Sequence, residues 1–257
     1  MPEELPNFPN GCAIVFGGSG GLGQGAAKVL ARQGVDVVLT YRSRLADAES
    51  LAERLRGQGR RASVVKCNSI EYDDVAKTFE HALAEYGRVH TVVSSTGLVF
   101  NVGPLSETDP AEFRSVIETD VIGFFNIARA AVPVLKQGGG GSIVAIVTPA
   151  ISRTVPHDAQ SGVPKAAVAL MVKHLAAEHG RDGIRANAVG AGVINCGVTA
   201  VMRVGQAKEM FDYASSITPL GRDGEAEEVG EVVAFLASNK AAFVSGQVVH
   251  ADGALTA

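Results

Sequence analysis

Residues 17–23, which read G-G-S-G-G-L-G, constrain this chain more than any other stretch. An apolar run, Cys12-Ala13-Ile14-Val15-Phe16, comes just before them, and a helical pattern follows, with Ala26, Ala27, Val29, Leu30 and Ala31 set among Gln24, Lys28, Arg32 and Gln33. A buried strand that turns through glycines into a helix is the opening of a βαβ nucleotide site. Glycines let the backbone turn tightly and bring its N–H groups close to a diphosphate. The helix N-terminus adds partial positive charge where the phosphates sit.

Strands and helices then alternate to the end of the chain. The pattern predicts strands at 35–39, 62–66, 89–93, 142–147, 184–189 and 247–250, and helices at 45–56, 71–86, 159–179 and 225–238. A long helix is expected from 110 to about 136. It opens on Asp109-Pro110-Ala111-Glu112, which offers a cap, a first-turn proline and a reciprocal glutamate. Residues 190–220 read as irregular. This order implies one α/β domain of Rossmann type, a doubly wound, mainly seven-stranded parallel sheet. Its dinucleotide half falls at about 11–150 and its substrate loop at about 190–220. Ligands of such sheets bind outside the carboxyl ends of the strands, so the loops after Phe16, Leu39, Val93, Val147 and Val189 meet in one crevice.

Composition narrows the partners. A net charge of −4 argues against a nucleic-acid surface, which needs a basic face. The first ten residues carry Glu3, Glu4 and three prolines rather than a signal peptide, and no apolar stretch is long enough for a membrane span. Cys12, Cys67 and Cys196 lack metal-ligand spacing and read as reduced thiols of a cytoplasmic protein.

Several segments together resemble the short-chain dehydrogenase/reductase family, most of all its ketoacyl-reductase-like members, over nearly the whole chain. Gly17, Gly21 and Gly23 match the family's T-G-x-x-x-G-x-G glycines. Further matches are Gly183-Ile184-Arg185-Ala186-Asn187-Ala188-Val189, Pro219-Leu220-Gly221-Arg222, Phe235-Leu236-Ala237-Ser238, and Ser245-Gly246-Gln247 with Asp252-Gly253. The resemblance implies a cofactor site at Gly17, Ser19, Gly21, Leu22, Gly23, Arg42, Asn68, Ser94, Lys165 and Ile194. It also implies oligomers built through the helices at 110–136 and 159–179, with a second contact at the C-terminal strand. No acid follows the second strand at Thr40-Tyr41-Arg42-Ser43-Arg44, and Arg42 suits a 2′-phosphate, so NADP(H) is the expected dinucleotide if one binds.

The catalytic positions depart from the family. Its Y-x-x-x-K falls on Ser161-Gly162-Val163-Pro164-Lys165, which keeps the lysine and loses the tyrosine. The family serine aligns with Thr148 and its helix asparagine with Asp120. Phe16, Ser94 and Cys196 replace usual cofactor-side residues. A phenol can exchange a proton with the substrate oxygen once a lysine cation lowers its pKa; a serine alcohol is far weaker and shorter. Loss of a general acid removes about 10²–10⁴ in rate. Thr148 still offers a hydroxyl. The Asp120 carboxylate either pairs with Lys165 or holds the local backbone, and the second role is the one expected.

Three functions stay open. The leading expectation is a catalytically impaired subunit that supports an active NAD(P)-dependent alcohol dehydrogenase or ketoreductase in a mixed oligomer. The second is an active NADPH-dependent carbonyl reductase whose proton comes from elsewhere, with His157 the candidate acid, or a water held by Ser161 and Lys165. Small apolar carbonyls, alcohols or acyl thioesters are the substrates implied. The third is a non-redox lyase or isomerase in the same cleft, with Met202, Met210, Phe211 and Tyr213 as candidate pocket walls.

Overall fold

The protein was analysed as a computed structural model that describes residues 6–205 and 207–257. Seven strands form one parallel sheet in the order β3-β2-β1-β4-β5-β6-β7. They are β1 (Cys12–Phe16), β2 (Asp36–Tyr41), β3 (Ala62–Lys66), β4 (Val89–Ser94), β5 (Gly141–Val147), β6 (Ile184–Ala191) and β7 (Val248–Ala251). The central strands are β-branched and apolar with little alternation, as strands covered on both faces must be. All five residues of β1 are buried.

Period two sorts β1 between two cores. Ala13 and Val15 face α1 (Gly21–Arg32), α2 (Leu45–Gly57) and α9 (Ala226–Ala237), through Leu30, Leu51, Leu55 and Val233. Cys12, Ile14 and Phe16 face the other layer, through Phe79 of α3 (Tyr72–Tyr86), Phe124 of α5 (Gly123–Gln137) and Val172 of α6 (Ala159–His179). The first layer is drawn tight where two helices cross at glycines. A Cβ on Gly25 would stand 2.2 Å from the Ala226 carbonyl oxygen, and one on Gly230 would stand 2.6 Å from that of Gly25.

β1 pairs with β2 on one side and β4 on the other, so the strand order reverses there. That switch point opens a crevice at the carboxyl ends of β1 and β4. No helix among the described residues is long and apolar enough to cross a membrane.

Three expectations need correction. The segment at 190–220 is not irregular: it contains α7 (Gly197–Arg203) and α8 (Lys208–Ser216). Arg203 fastens them by contacting Asp212, Asp223 and the Ser215 hydroxyl, the last at 2.9 Å. The long helix is interrupted: α4 (Pro110–Ile117) passes through one π-helical turn, Glu118–Ile122, into α5. Asp109 does cap α4, accepting from the Ala111 and Glu112 N–H groups at 2.8 and 2.9 Å. Glu112, however, turns away from the cap and accepts from the Asn101 N–H at 2.8 Å.

Candidate active site

The turn between β1 and α1 is shaped by close backbone approach. Gly17 has a left-handed φ of 76°, and a Cβ there would stand 2.5 Å from the Ser95 carbonyl oxygen. Its N–H donates to the Thr40 hydroxyl at 3.0 Å, tying the turn to β2. Gly23 is buried against the same turn, where a Cβ would stand 2.3 Å from the Gly17 oxygen. The N-cap of α1, Gly20, offers no side-chain cap, so the first-turn N–H groups remain for an anion. The start of α7 packs on this loop: a Cβ on Gly21 would meet the Cys196 sulfur and the Gly197 nitrogen, both at 2.6 Å.

One cavity of about 340 Å³ runs from this loop in both directions. One end is lined by Arg42, Ser43 and Arg44 after β2, with Asn68 after β3. The other end is lined by Thr96, Asp120, Thr148, Asp158, Ser161 and Lys165, and Ile194, just before α7, also lines the cavity. Two cations at one end, uncapped N–H groups in the middle and a lysine at the other fit an extended, anionic dinucleotide.

Lys165 is held from two sides. Its ammonium donates to the Thr96 carbonyl oxygen at 2.9 Å and lies 3.0 Å from Asp120 Oδ1. Asp120 sits in the π-helical turn, 4% exposed, and its Oδ1 receives no well-directed hydrogen bond. The contact is therefore Coulombic more than directional, and removing either partner would leave a buried charge uncompensated. This overturns the expected backbone role of Asp120, which pairs with the lysine. Thr148 Oγ1 accepts from the Ala150 N–H at 3.2 Å, which leaves its own O–H to be donated into the cavity.

Four sequence-predicted residues, His157, Ser94, Gly23 and Tyr213, lie outside the lining. His157 takes a left-handed φ of 68° with its ring exposed, and only its backbone oxygen is engaged, by the Gly103 N–H at 3.2 Å. Ser94 is buried as the last residue of β4, opposite Ala145. Gly23 acts behind the loop. Gly17, Ser19, Gly21, Leu22, Arg42, Asn68, Asp120, Thr148, Ser161, Lys165 and Ile194 all reach the cavity. Of the apolar candidates, Met202, Met210 and Phe211 line it, whereas Tyr213 is 61% exposed and does not. At Cys196, burial and then the Glu225 carboxylate push the thiol pKa up, away from a nucleophilic thiolate.

Sequence reasoning passed over Asp158, the neighbour of His157. Burial pushes its carboxyl from 3.8 up to about 7, against the opposing pull of a hydrogen bond with the Ser161 side chain. The available signal was spacing, because Asp158, Ser161 and Lys165 recur at intervals of three and four and share one helix face.

Comparison with known proteins agrees with this geometry. A family model described as Enoyl-(Acyl carrier protein) reductase matches residues 17–256. The chain is 34% identical over 252 residues to an NADPH-dependent aldehyde reductase-like protein, chloroplastic, of Arabidopsis thaliana, covering 94% of this chain and 92% of that one. It is 32% identical over 259 residues to the cyclohexanol dehydrogenase of Acinetobacter sp. (strain SE19), covering 100% of this chain and 99% of the other. A short-chain type dehydrogenase/reductase from Mycobacterium ulcerans superposes with a TM-score of 0.90 at 29% identity, over 97% of this chain and 91% of that structure.

Proposed function

The chain belongs to the short-chain dehydrogenase/reductase family, and from that premise we propose that it is an NADP(H)-dependent oxidoreductase interconverting a small apolar ketone and its alcohol. The observation that carries this reading is the retained Lys165, held by Thr96 and Asp120, in one cavity with the Thr148 hydroxyl, Arg42 and Arg44. A bound nicotinamide dinucleotide supplies or accepts two electrons as hydride. The protein's part is to orient and to polarise. Arg42 and Arg44 meet the 2′-phosphate, and the uncapped start of α1 receives the diphosphate. Lys165, anchored by Thr96 and with its charge balanced by Asp120, would hold the bound dinucleotide. The Thr148 hydroxyl donates to the substrate oxygen and draws charge onto it.

Met202, Met210 and Phe211 supply apolar walls that suit an alicyclic or acyl substrate, in keeping with the relative named cyclohexanol dehydrogenase. The three cysteines are unpaired, which suits the cytoplasm. The exposed apolar residues Ile122, Phe125, Val163 and Leu170, on the π-turn, α5 and α6, suit an oligomer.

A second reading has one specific observation in its favour. Ser161 stands where the family has its phenol, which supports an impaired chain serving an active relative in a mixed oligomer. Titration of the isolated protein with NADPH and NADH tests the first reading. NADPH is expected to bind about tenfold or more tightly than NADH, and Arg42→Ala with Arg44→Ala to abolish the difference. Binding of neither dinucleotide would refute it.

A further inference from the structure

We propose that the Asp158 carboxyl is the proton donor to the substrate oxygen, taking the part that the phenol plays elsewhere in the family. The inference rests on the oxidoreductase reading above and deepens it. Asp158 occupies the N-cap of α6, where an aspartate ordinarily accepts from the free N–H groups of the first turn. Here its side chain makes no cap hydrogen bond. Its backbone carbonyl makes the usual start of the helix, accepting from the Ser161 and Gly162 N–H groups at 3.1 and 2.9 Å. Asp158 lines the cavity together with Ser161, Thr148 and Lys165, its carboxyl uncommitted to the cap. Serine is several atoms shorter than tyrosine, so Ser161 leaves room in the cavity that Asp158 and Thr148 also line.

Burial, not a neighbouring charge, governs the carboxyl. Lys165, on the same helix, is paired with Asp120 from the π-turn. Glu112 on α4 is engaged by Asn101 and by the Gln160 amide at 3.3 Å. Arg42 and Arg44 line the far end of the cavity, and the His157 ring is at the surface. Burial is then the dominant influence and lifts the carboxyl to about 7, so that its protonated and ionised forms are both well populated near neutral pH.

The step balances. The carbonyl carbon receives hydride from the reduced dinucleotide, and the π electrons of the C=O bond move onto its oxygen. That oxygen forms a bond to the Asp158 proton as the carboxyl O–H bond breaks. The resulting carboxylate is reprotonated by water at the cavity mouth. Alcohol oxidation runs the same transfers in reverse, with the carboxylate as base.

The test combines a cofactor-free readout with turnover. The carbon resonance of the Asp158 carboxyl, identified by its disappearance in Asp158→Asn, is followed by NMR across pH in the cofactor-free protein. It is expected to titrate near 7; titration in the ordinary range near 3.8 overturns the proposal. With NADPH and cyclohexanone or an acetoacetyl thioester as probes, Asp158→Asn is expected to keep NADPH affinity and lower kcat by about 10²–10⁴. Adding Ser161→Tyr to that variant is expected to restore turnover. A variant as fast as the wild type overturns the proposal and leaves the oxidoreductase reading standing. If the wild type binds no NADPH, or binds it and reduces neither probe, the reading falls and the proposal with it.

Discussion

Neutralising Asp158 should make the protein more stable as the pH rises. In Asp158→Asn the amide keeps the shape of the carboxyl but cannot ionise. The folded-state pKa is about 7 against an ordinary 3.8, so between those values the folded chain holds a proton that the unfolded chain has released. Stability from this group is therefore full below 3.8 and is lost as the pH climbs through about 7. The variant escapes that loss. A shift of roughly three pKa units sets a ceiling of about 4 kcal/mol, and water in the half-enclosed cavity reduces this to about 2 kcal/mol. Urea denaturation of wild type and variant, compared at a series of pH values from about 4 to 9, reads the difference directly. Taking the difference matters, because His90 works in the other direction. Burial, and then Arg88, lower its imidazole from 6.5 to about 4, so its contribution is present above 6.5 and is lost as the pH falls through about 4. Both proteins share that term and it cancels. A difference that stays flat with pH, or a variant that loses ground as the pH rises, would show that the Asp158 carboxyl titrates normally. A gain would mark a residue kept at the expense of stability, as groups with a chemical task often are.

Two further outcomes test the scaffold. Gly25→Ala should lower stability by about 1–3 kcal/mol, because the 2.2 Å approach to the Ala226 oxygen forces α1 and α9 apart; denaturant midpoints measure this, and an unchanged midpoint would mean that the helices separate freely. Phe125 and Leu170 are 50% and 58% exposed on neighbouring helices, so Phe125→Glu with Leu170→Glu should reduce an oligomer to monomers by light scattering; an unchanged mass would remove this face from the assembly.

Most of the layer structure was legible because the strands are short, apolar and punctuated by glycine. Gly34, Gly87 and Gly183 stand at element ends with positive φ, and the strand and helix bounds fall within two residues of those expected. What escaped depends on side-chain contacts and backbone geometry that periodicity does not carry. The short helices α7 and α8 carry Val198, Val201 and Tyr213 toward solvent, so no clear apolar stripe announces them. They are held by polar contacts among Arg203, Asp212, Ser215 and Asp223, which periodicity does not reveal. The π-helical turn at Glu118–Ile122 inserts a residue into a helix that looks regular from its periodicity. That insertion changes which side of the helix meets α6 and brings Asp120 to Lys165. At 157 and 158 the decision rests on one backbone angle. The left-handed φ of His157 puts its ring at the surface and the next side chain in the cavity, a choice that residue type alone does not reveal.

The substituted positions at the lysine end of the cavity are linked by charge, and the link bears on whether this chain is impaired or rebuilt. In the family pattern a lysine cation serves the phenol by lowering its pKa. With serine at 161 there is no phenol to tune, and an unbalanced ammonium in a half-buried cleft would be unfavourable. The carboxylate of Asp120, where the family has a neutral asparagine, removes that imbalance at 3.0 Å. A lysine so paired exerts little pull on Asp158, and the titration of Asp158 is accordingly governed by burial and the Ser161 side chain. Random decay at 161 would leave Lys165 uncompensated and would have no reason to set a carboxyl three residues before the serine on the same helix face. The substitutions at 120 and 161, together with Asp158, instead leave one positive charge neutralised and, lining the same cavity as Thr148, one carboxyl lifted by burial to about 7.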